Sequence, residues 1–257
     1  VIDQELSPRE LIVVDDLDSP STRGVVDRLA PKASFPVSYL VNQSLPGAPG
    51  SRNIGAQESS GELIAFLDDD DLWDPGYLAA LAKRLDADPA DFAVAWCSKF
   101  WQGGSKPSML IPEGVTLEEA LTANPGFSGQ NFVIRKSVFA HVDGFDPAAP
   151  MKQDWDLFAR LLAAGFRYTV VPQRLVRIRL HQGSRVSTGR GSEARRELDG
   201  KHYFYRKHRS AMPFRVRIIW WNMLLRLYTK DPSRSRLLRF AVSPLLLLLR
   251  FGLRKEV

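Results

Sequence analysis

Short apolar runs alternate with segments of helical periodicity along the first 180 residues. The apolar runs, which predict strands, cover residues 10–14, 37–41, 63–67, 92–100, 129–134, 168–171 and 175–180. The helical segments cover residues 22–29, 76–85, 136–142 and 152–162, and a further helix follows the glycine-rich segment 47–56 and stops at Gly61. Residues 102–112 are polar and without period, which predicts a loop. This alternation predicts an α/β fold whose sheet is mainly parallel and flanked by helices.

The apolar run at residues 63–67 ends in four consecutive acids, Asp68, Asp69, Asp70 and Asp71. In open α/β sheets, ligands bind beyond the carboxyl ends of the strands, which is where these acids would lie. Adjacent carboxylates repel one another, so a fold that holds several of them together usually neutralises them with a cation. Oxygen ligands suit Mg²⁺ and Mn²⁺, which commonly bridge to phosphates. The alternative is a solvated acidic turn.

The segment from residue 47 to residue 56 is a glycine-rich turn that enters a helix and contains Arg52. A helix start offers free N–H groups and the positive end of the helix dipole, and Arg52 adds a fixed cation. The segment could therefore hold an anion. A capped helix with a solvated arginine explains the same residues equally well.

The charge of the chain is distributed unevenly between an acidic body and a basic tail. Residues 201–257 contain 14 Lys and Arg against 2 acids, whereas residues 1–200 contain 21 against 27, and the whole chain carries a net charge of +6. We therefore divide the chain into a domain at residues 1–200 and a helical tail at residues 201–257, and expect the two to meet different partners. The lone Cys97 gives neither an internal disulfide nor a zinc cluster, which indicates a reducing compartment.

The tail contains two apolar helical segments, residues 214–228 and 237–253. Its longest uncharged run, residues 240–249, would reach only about 15 Å as a helix, roughly half a bilayer core. Arginines interleaved with Trp, Leu and Ile instead suit a basic amphipathic helix pair in an anionic membrane interface. The alternative is that these helices pack on the body or on a second subunit.

Four motifs, taken in order, resemble the family 2 glycosyltransferases. They read LIVVDD, GAPGSRNIGAQESSGELIAFLDDDDLWDP, QDWDLFARL and RLHQGSRVS, and the resemblance covers about residues 1–190. It implies the GT-A fold, which is Rossmann-like, and transfer of a sugar from a nucleotide-diphosphate donor with inversion. It also implies Mn²⁺ or Mg²⁺ as the cofactor.

The resemblance also implies roles for single residues around the donor. Asp16, with Asp15 beside it, matches the acid that accepts a hydrogen bond from the nucleotide base, and Arg52 matches a basic residue near the donor. Asp69 would face the ribose and the metal, and Asp70 would be the main metal ligand.

The remaining matches complete the expected site. His181 matches a histidine near the diphosphate and metal. Asp154 matches the catalytic base, with Trp155 and Asp156 as its neighbours, although the residue pattern alone also suits a helix N-cap at Asp154. We expect Asp68 to support the metal site and Asp71 to cap the turn into the next helix.

Two departures from the family pattern stand out. The family usually has Glu-Asp where this chain has Gln153-Asp154, so one neighbouring charge is lost. The family also begins with a strand of the form VSVIIPTYNR and a helix, and residues 1–4 match only the end of that helix. The sequence is therefore expected to lack the first strand of the sheet.

Three functions of different classes remain. The first is an inverting glycosyltransferase that uses a nucleotide-sugar donor and a saccharide, polysaccharide or lipid-linked acceptor, in the cytoplasm at the inner face of the cell membrane. The second is a GT-A-fold nucleotidyltransferase or a catalytically silent nucleotide-binding homologue. The third is a nucleic-acid binder acting through the basic tail, which ranks last because long leucine runs suit lipid or packing better than bases, so no nucleic-acid partner is expected.

Overall fold

The structure is a computed structural model that describes residues 1–180 and 190–230, apart from the side chains of residues 190–194 and 228–230. His181 and the predicted helix at residues 237–253 lie outside the described residues. In chain order the elements are β1 (Leu11–Asp15), α1 (Pro20–Leu29), β2 (Val37–Val41), α2 (Ala48–Glu58), β3 (Leu63–Ala65), β4 (Leu72–Trp73), α3 (Tyr77–Ala87), β5 (Phe92–Trp101), β6 (Gly104–Ser108), α4 (Leu117–Thr122), β7 (Phe132–Arg135), α5 (Lys136–His141), α6 (Gln153–Ala163), β8 (Tyr168–Arg179), α7 (Arg190–His208) and α8 (Phe214–Lys230).

The chain divides into two compact units. The larger unit comprises Val1–Ala120, Asn124–Ala148 and Gln153–Leu180, and the smaller comprises Leu121–Ala123, Ala149–Lys152 and the chain from His181 onward. The division after Leu180 precedes the boundary predicted at residue 200, which falls inside α7.

The sheet of the larger unit is mixed rather than mainly parallel. Its strands lie in the order β3-β7-β5-β8-β4, with β6 added to β5. Only β5 and β8 pair in parallel, whereas the other four pairs are antiparallel. A separate parallel pair is formed by β1 and β2. The predicted α/β class is therefore correct, but the pairing is more antiparallel than the alternation of strands and helices indicates.

The predicted loop at residues 102–112 is wrong, because residues 104–108 form β6. This strand folds back on β5 through a tight turn in which Gly103 has a φ of 111°, and Phe100 pairs with Ser105. Its residues Gly, Ser, Lys and Pro are almost all exposed, so no apolar alternation reveals it.

Strand β5 is buried on both faces, as its apolar sequence predicts. Phe92 and Val94 face one hydrophobic cluster with the aromatic residues Phe127 and Phe132, whose rings stack 4.6 Å apart. The opposite face, which includes Cys97, packs against α3. Burial raises the pKa of the Cys97 thiol to about 12. The sheet is thus covered on both faces, and the surrounding loops project from the ends of its strands.

The smaller unit contains α7, which the sequence did not predict, and α8, which it did. Phe204 of α7 stacks on Trp220 of α8 with ring centroids 5.3 Å apart. The Trp220 indole N–H donates to the main-chain oxygen of Leu121 at 2.7 Å. Helix α7 was missed because its polar sequence carries no apolar stripe. Among the described helices, none combines the length and the hydropathy needed to cross a bilayer.

Candidate active site

The outer two acids of the turn after β3 hold that turn in place. The Asp68 carboxylate forms an ion pair with the guanidinium of Arg52. Asp71 is buried, and its two carboxylate oxygens accept hydrogen bonds from the Gln130 side-chain amide at 2.5 Å and from the Arg179 main-chain amide at 2.7 Å. Both ends of the turn are therefore fastened to other elements.

Asp71 does not cap the turn into the next helix, so that prediction is wrong. Its carboxylate points inward, and α3 begins only at Tyr77. Burial raises the pKa of Asp71 to about 6, the hydrogen bond from Arg179 opposes this rise, and the charges of Asp70 and Asp68 add to it. Asp71 is a structural acid of the turn.

The inner two acids, Asp69 and Asp70, are placed differently. Asp69 is exposed and has no hydrogen-bond or ion-pair partner within the part of the chain that the structure describes. The main-chain oxygen of Asp70 accepts a hydrogen bond from Arg179 Nε at 3.0 Å, which fixes the backbone at this position. The turn therefore presents Asp69 to solvent from a backbone that is held on both sides.

Three consecutive residues near the start of α2 contact three separate segments. The Ser51 hydroxyl donates to the Asp16 carboxylate. Arg52, paired with the acidic turn, also lies over the ring of Phe145, with 5.1 Å between the guanidinium carbon and the ring centroid. The Asn53 side chain donates to the Phe145 carbonyl at 2.7 Å and accepts from its amide at 2.9 Å. Helix α2 thus joins the end of β1, the acidic turn and the loop before α6.

Asp16, a predicted base-binding acid, already binds the glycine-rich turn. Its carboxylate accepts hydrogen bonds from the Gly47 amide at 2.6 Å and the Asn42 side chain at 2.8 Å. The anion at this turn is therefore a carboxylate of the chain itself. Contact of Asp16 and Arg52 with a donor stays a prediction.

Asp15 is held in a comparable way at the end of β1. Its carboxylate accepts hydrogen bonds from the amides of Leu17 at 2.8 Å and Ser19 at 3.0 Å and from the Tyr39 hydroxyl at 2.8 Å. These bonds, the one from Leu17 foremost, lower the pKa of Asp15. Asp15 therefore shapes the loop after β1, and its contact with the nucleotide stays a prediction.

Asp154, the predicted base, lies in the first turn of α6 and not at the cap. The helix begins at Gln153, and one Asp154 carboxylate oxygen accepts a hydrogen bond from the Trp155 amide at 2.8 Å. The Trp155 ring is buried and its indole N–H donates to the Ala120 carbonyl at 2.5 Å. The first turn of α6, which carries Asp154, is thereby fixed.

Asp156 is buried in an ion pair with Arg160, one helical turn further along. The two side chains meet at 2.8 Å, and Arg160 also donates to the carbonyls of Val142 and, at 2.6 Å, Gly144. Asp156 therefore anchors the loop before α6 rather than facing solvent beside the predicted base.

A continuous set of contacts thus links the acidic turn to the helix that carries Asp154. It runs from Asp68 to Arg52 and Asn53, from Asn53 to Phe145, and from the adjacent Gly144 to Arg160 and Asp156. All of these residues belong to the larger unit.

A comparison with protein-family models supplies the family of this chain. The model described as Glycosyl transferase family 2 matches residues 1–143, which is more than half of the 257 residues. The chain belongs to glycosyltransferase family 2. The resemblance to this family is therefore confirmed, and the match includes the first two of the four motifs.

Individual relatives of this family 2 glycosyltransferase are similar over limited lengths. An uncharacterized glycosyltransferase of Haemophilus influenzae is 31% identical over 163 residues, covering 62% of this chain and 54% of the relative. The GalNAc(5)-diNAcBac-PP-undecaprenol beta-1,3-glucosyltransferase of Campylobacter jejuni is 37% identical over 84 residues, covering 32% of this chain and 27% of the relative. The chain spans about half or less of the length of these relatives.

Solved structures establish the fold of this family 2 member. The mannosyltransferase PcManGT of Pyrobaculum calidifontis, in complex with GDP-Man and Mn²⁺, superposes with a TM-score of 0.60 at 18% identity. The match covers 96% of this chain and 73% of PcManGT. The predicted α/β fold of GT-A type is therefore confirmed.

The acids of this family 2 chain fit a divalent cation in part. Within the described residues, no group of three or more His, Cys, Asp or Glu side chains is arranged to hold a metal. Two carboxylates, Asp69 and Asp70, nevertheless match the way in which Mg²⁺ and Mn²⁺ are held by one or two carboxylates together with substrate phosphates. His181, the third predicted ligand, lies outside the described residues.

The sequence did not reveal several residues that build the site. Gln130, Asn53 and Arg160 each make two or more hydrogen bonds that hold the acidic turn or the loop before α6. For Gln130 a signal exists, because the polar residues 128–131 stand between two buried phenylalanines. The partner of Asn53 lies 92 residues away and leaves no local pattern. Arg160 pairs with Asp156 four residues earlier on α6, a helical spacing that is visible in the sequence.

Proposed function

We propose that this chain is an inverting glycosyltransferase that moves a sugar from a nucleoside-diphosphate-sugar to a saccharide or lipid-linked acceptor, assisted by Mn²⁺ or Mg²⁺. The supporting observation is the contact network that ties the acidic turn to α6 within one unit. Such a network holds a leaving-group site and a base in a fixed relation, which a transfer reaction requires.

The donor diphosphate is assigned to the exposed side of the acidic turn. Asp69 and Asp70 would hold the cation, and the cation, when bound, supplies charge stabilisation to the diphosphate as it leaves. The outer acid Asp68 is neutralised by Arg52 and the outer acid Asp71 is buried, so both keep the inner pair in place without binding the cation. Asp15 and Asp16 shape the loops that would receive the nucleotide.

Asp154 is assigned as the general base. Its carboxylate takes the proton of an acceptor hydroxyl as that oxygen attacks the anomeric carbon, and the bond from this carbon to the diphosphate oxygen breaks. Attack opposite to the leaving group inverts the anomeric centre. Trp155 and Asp156 act by positioning, because both are buried and hold the first turn of α6.

A lipid-linked acceptor is supported by the Campylobacter jejuni relative, whose name includes an undecaprenol diphosphate. An enzyme that acts on such an acceptor works at a membrane, and the basic surface at residues 201–230 suits an anionic one. Residues 201–230 contain eight Lys and Arg and no acid. We propose that this surface attaches the enzyme to the cytoplasmic face of the cell membrane.

Helix α8 carries an apolar stripe that supports this attachment. Phe214, Ile218, Trp221 and Leu225 recur at intervals of four, three and four residues, which places them on one helix face. The Phe214 side chain is 70% exposed and that of Trp221 is 47% exposed. Since the Trp221 indole N–H already donates to the Tyr205 hydroxyl at 2.5 Å, its ring can enter an apolar phase without leaving that N–H unpaired.

Vesicle co-sedimentation tests the attachment. We expect the chain to bind vesicles that contain phosphatidylglycerol and to release them at high salt, since the attraction is partly electrostatic. Replacing Phe214 and Trp221 by Ala should weaken binding several-fold. Leu17→Ala, which removes an apolar side chain of the larger unit that is even more exposed, is the control. Two results would contradict the attachment. In one, the chain binds pure phosphatidylcholine vesicles equally well; in the other, it binds RNA in preference to vesicles.

A donor screen tests the proposed reaction. UDP-, GDP- and dTDP-sugars are added with and without Mn²⁺, and both thermal stability and release of the nucleoside diphosphate are measured. The proposal predicts that one donor class stabilises the protein only with the cation and yields the nucleoside diphosphate and a free or transferred sugar. Release of a sugar 1-phosphate, the group that leaves when the nucleotidyl group of the donor is transferred, would instead indicate a nucleotidyltransferase, and binding without turnover would indicate a silent homologue.

A further inference from the structure

We propose that Asp71 and Gln130 form a positioning pair that holds the inner acids Asp69 and Asp70 against the end of β8. The inference rests on the proposed function, because it concerns the same acidic turn. Neither residue would touch the cation or the donor. Their role is to set the backbone from which the two inner carboxylates project.

Both side chains of the pair are buried, and each takes part in two hydrogen bonds. Asp71 is 6% exposed and Gln130 is 5% exposed. Besides donating to Asp71, the Gln130 side chain accepts a hydrogen bond from the Ser128 hydroxyl at 2.7 Å. The other Asp71 oxygen accepts from the Arg179 amide. A single carboxylate thus connects the acidic turn, the loop before β7 and the end of β8.

Gln130 is itself anchored to the sheet, so it provides a fixed point for the turn. Its main-chain carbonyl accepts hydrogen bonds from the Trp73 indole N–H at 2.9 Å and the Tyr77 hydroxyl at 3.2 Å. The rings of Trp73 and Tyr77 stack 4.3 Å apart. Movement of Gln130 would therefore disturb β4 and α3 together, which explains how one amide can hold the turn.

The Asp71 side chain is buried in the same short turn that carries Asp68 and Asp70, so its two hydrogen bonds do not depend on further contact with water. An asparagine would remove the carboxylate charge and keep the shape. The Gln130 amide can turn over to accept from such an asparagine, and the Ser128 hydroxyl can then accept from Gln130. The geometry therefore requires complementary donors and acceptors at these two positions rather than a charge.

This requirement leads to an exchange experiment. Gln130→Glu sets two carboxylates against each other, and in mildly alkaline buffer we expect the KM for Mn²⁺ to rise by about 10- to 100-fold, the usual effect of removing a group that orients metal ligands. Asp71→Asn should have a smaller effect. The double variant Asp71→Asn with Gln130→Glu restores every hydrogen bond and should return the KM for Mn²⁺ toward the wild-type value. Gln57→Glu on the exposed side of α2 is the matched control.

A second measurement keeps the test independent of catalysis. Mn²⁺ with a nucleoside diphosphate is titrated against each variant by thermal shift, and unfolding without Mn²⁺ is measured alongside. Positioning predicts weaker Mn²⁺ binding in Gln130→Glu and recovery in the double variant. If Gln130→Glu does not fold, Ser128→Ala removes only the hydroxyl that orients the amide and should weaken Mn²⁺ binding to a lesser degree.

Two results would overturn the inference. In the first, Asp71→Asn and the double variant lose Mn²⁺ binding as severely as Gln130→Glu, which would make the Asp71 charge essential. In the second, Gln130→Glu folds and binds Mn²⁺ as the wild type does. If the wild type binds Mn²⁺ with the nucleotide but transfers no sugar, the proposed function fails while the exchange experiment still decides the role of the pair.

Discussion

Arg52 on α2 forms an ion pair with Asp68, the first acid of the turn after β3. The Arg52 side chain is 15% exposed, lies over the ring of Phe145 and approaches Gly129 so closely that a Cβ there would come within 2.9 Å of its Nη2 atom. Absence of a side chain at residue 129 therefore permits the pair. One arginine neutralises an acid of the turn and joins that turn to the loop before α6.

Arg52→Ala should destabilise the larger unit. The substitution leaves Asp68 without its cation and removes the packing on Phe145, so we expect a loss of about 1–3 kcal/mol in the free energy of unfolding. Urea unfolding measures it. Arg23→Ala is the control, because Arg23 and its partner Asp18 are more than half exposed, and it should cost less than about 1 kcal/mol. Equal losses for both variants would show that the Arg52 pair is only a surface contact.

Gly144→Ala should disrupt the loop before α6. Gly144 has a φ of 62°, and a Cβ there would lie 2.5 Å from the Asn53 side-chain oxygen and 2.9 Å from the Phe139 ring. The backbone strain and the steric overlap together should lower the free energy of unfolding by about 2–5 kcal/mol. Gly165→Ala separates the two causes, since Gly165 has a φ of 84° but no atom within 4 Å, and it should cost about 1–2 kcal/mol. Similar unfolding midpoints for the two variants would argue against close packing of Asn53 on this loop.

Tyr39→Phe should raise the pKa of Asp15. The variant removes one of the hydrogen bonds that favour the charged carboxylate, after which the pKa moves toward its ordinary value. The stability that Asp15 contributes is present above its pKa in the unfolded chain and is lost as pH falls through its lower pKa in the folded protein. The stability difference between variant and wild type should therefore vanish in acid. NMR titration of the Asp15 carboxyl carbon measures the pKa directly, and an unchanged value would show that the Tyr39 hydroxyl does not stabilise the charge.

Much of the fold follows from local sequence pattern. Strand β2 occupies residues 37–41 as predicted, and α8 begins at Phe214 as predicted. Both elements carry an apolar pattern with a clear period or a clear end. Strand β6 and helix α7 lack such a pattern because their residues are mostly polar, and their positions are set by packing on β5 and on α8.

The different roles of the four acids in the turn after β3 were only partly predictable from the sequence. The sequence indicates a cation site at the end of β3, and support of that site by Asp68 stays a prediction. That Asp71 turns inward depends on Gln130 and Arg179, which lie 59 and 108 residues away along the chain. Four adjacent aspartates are chemically alike, so only their distant partners distinguish them. Asp156 differs, because its partner Arg160 lies only four residues away on the same helix, and only the loop carbonyls that Arg160 also binds are further away along the chain.

The most direct test of the proposed reaction measures sugar transfer and nucleotide binding together in Asp154→Asn. We expect transfer to fall by at least about a hundredfold, because the acceptor proton loses its base, while Mn²⁺-dependent binding of the donor nucleotide stays at the wild-type level. In Asp70→Asn, by contrast, binding of the donor nucleotide should no longer depend on Mn²⁺. Asp86→Asn, on the far part of α3, should change neither quantity. Wild-type transfer by Asp154→Asn would contradict the assignment of Asp154 as the general base.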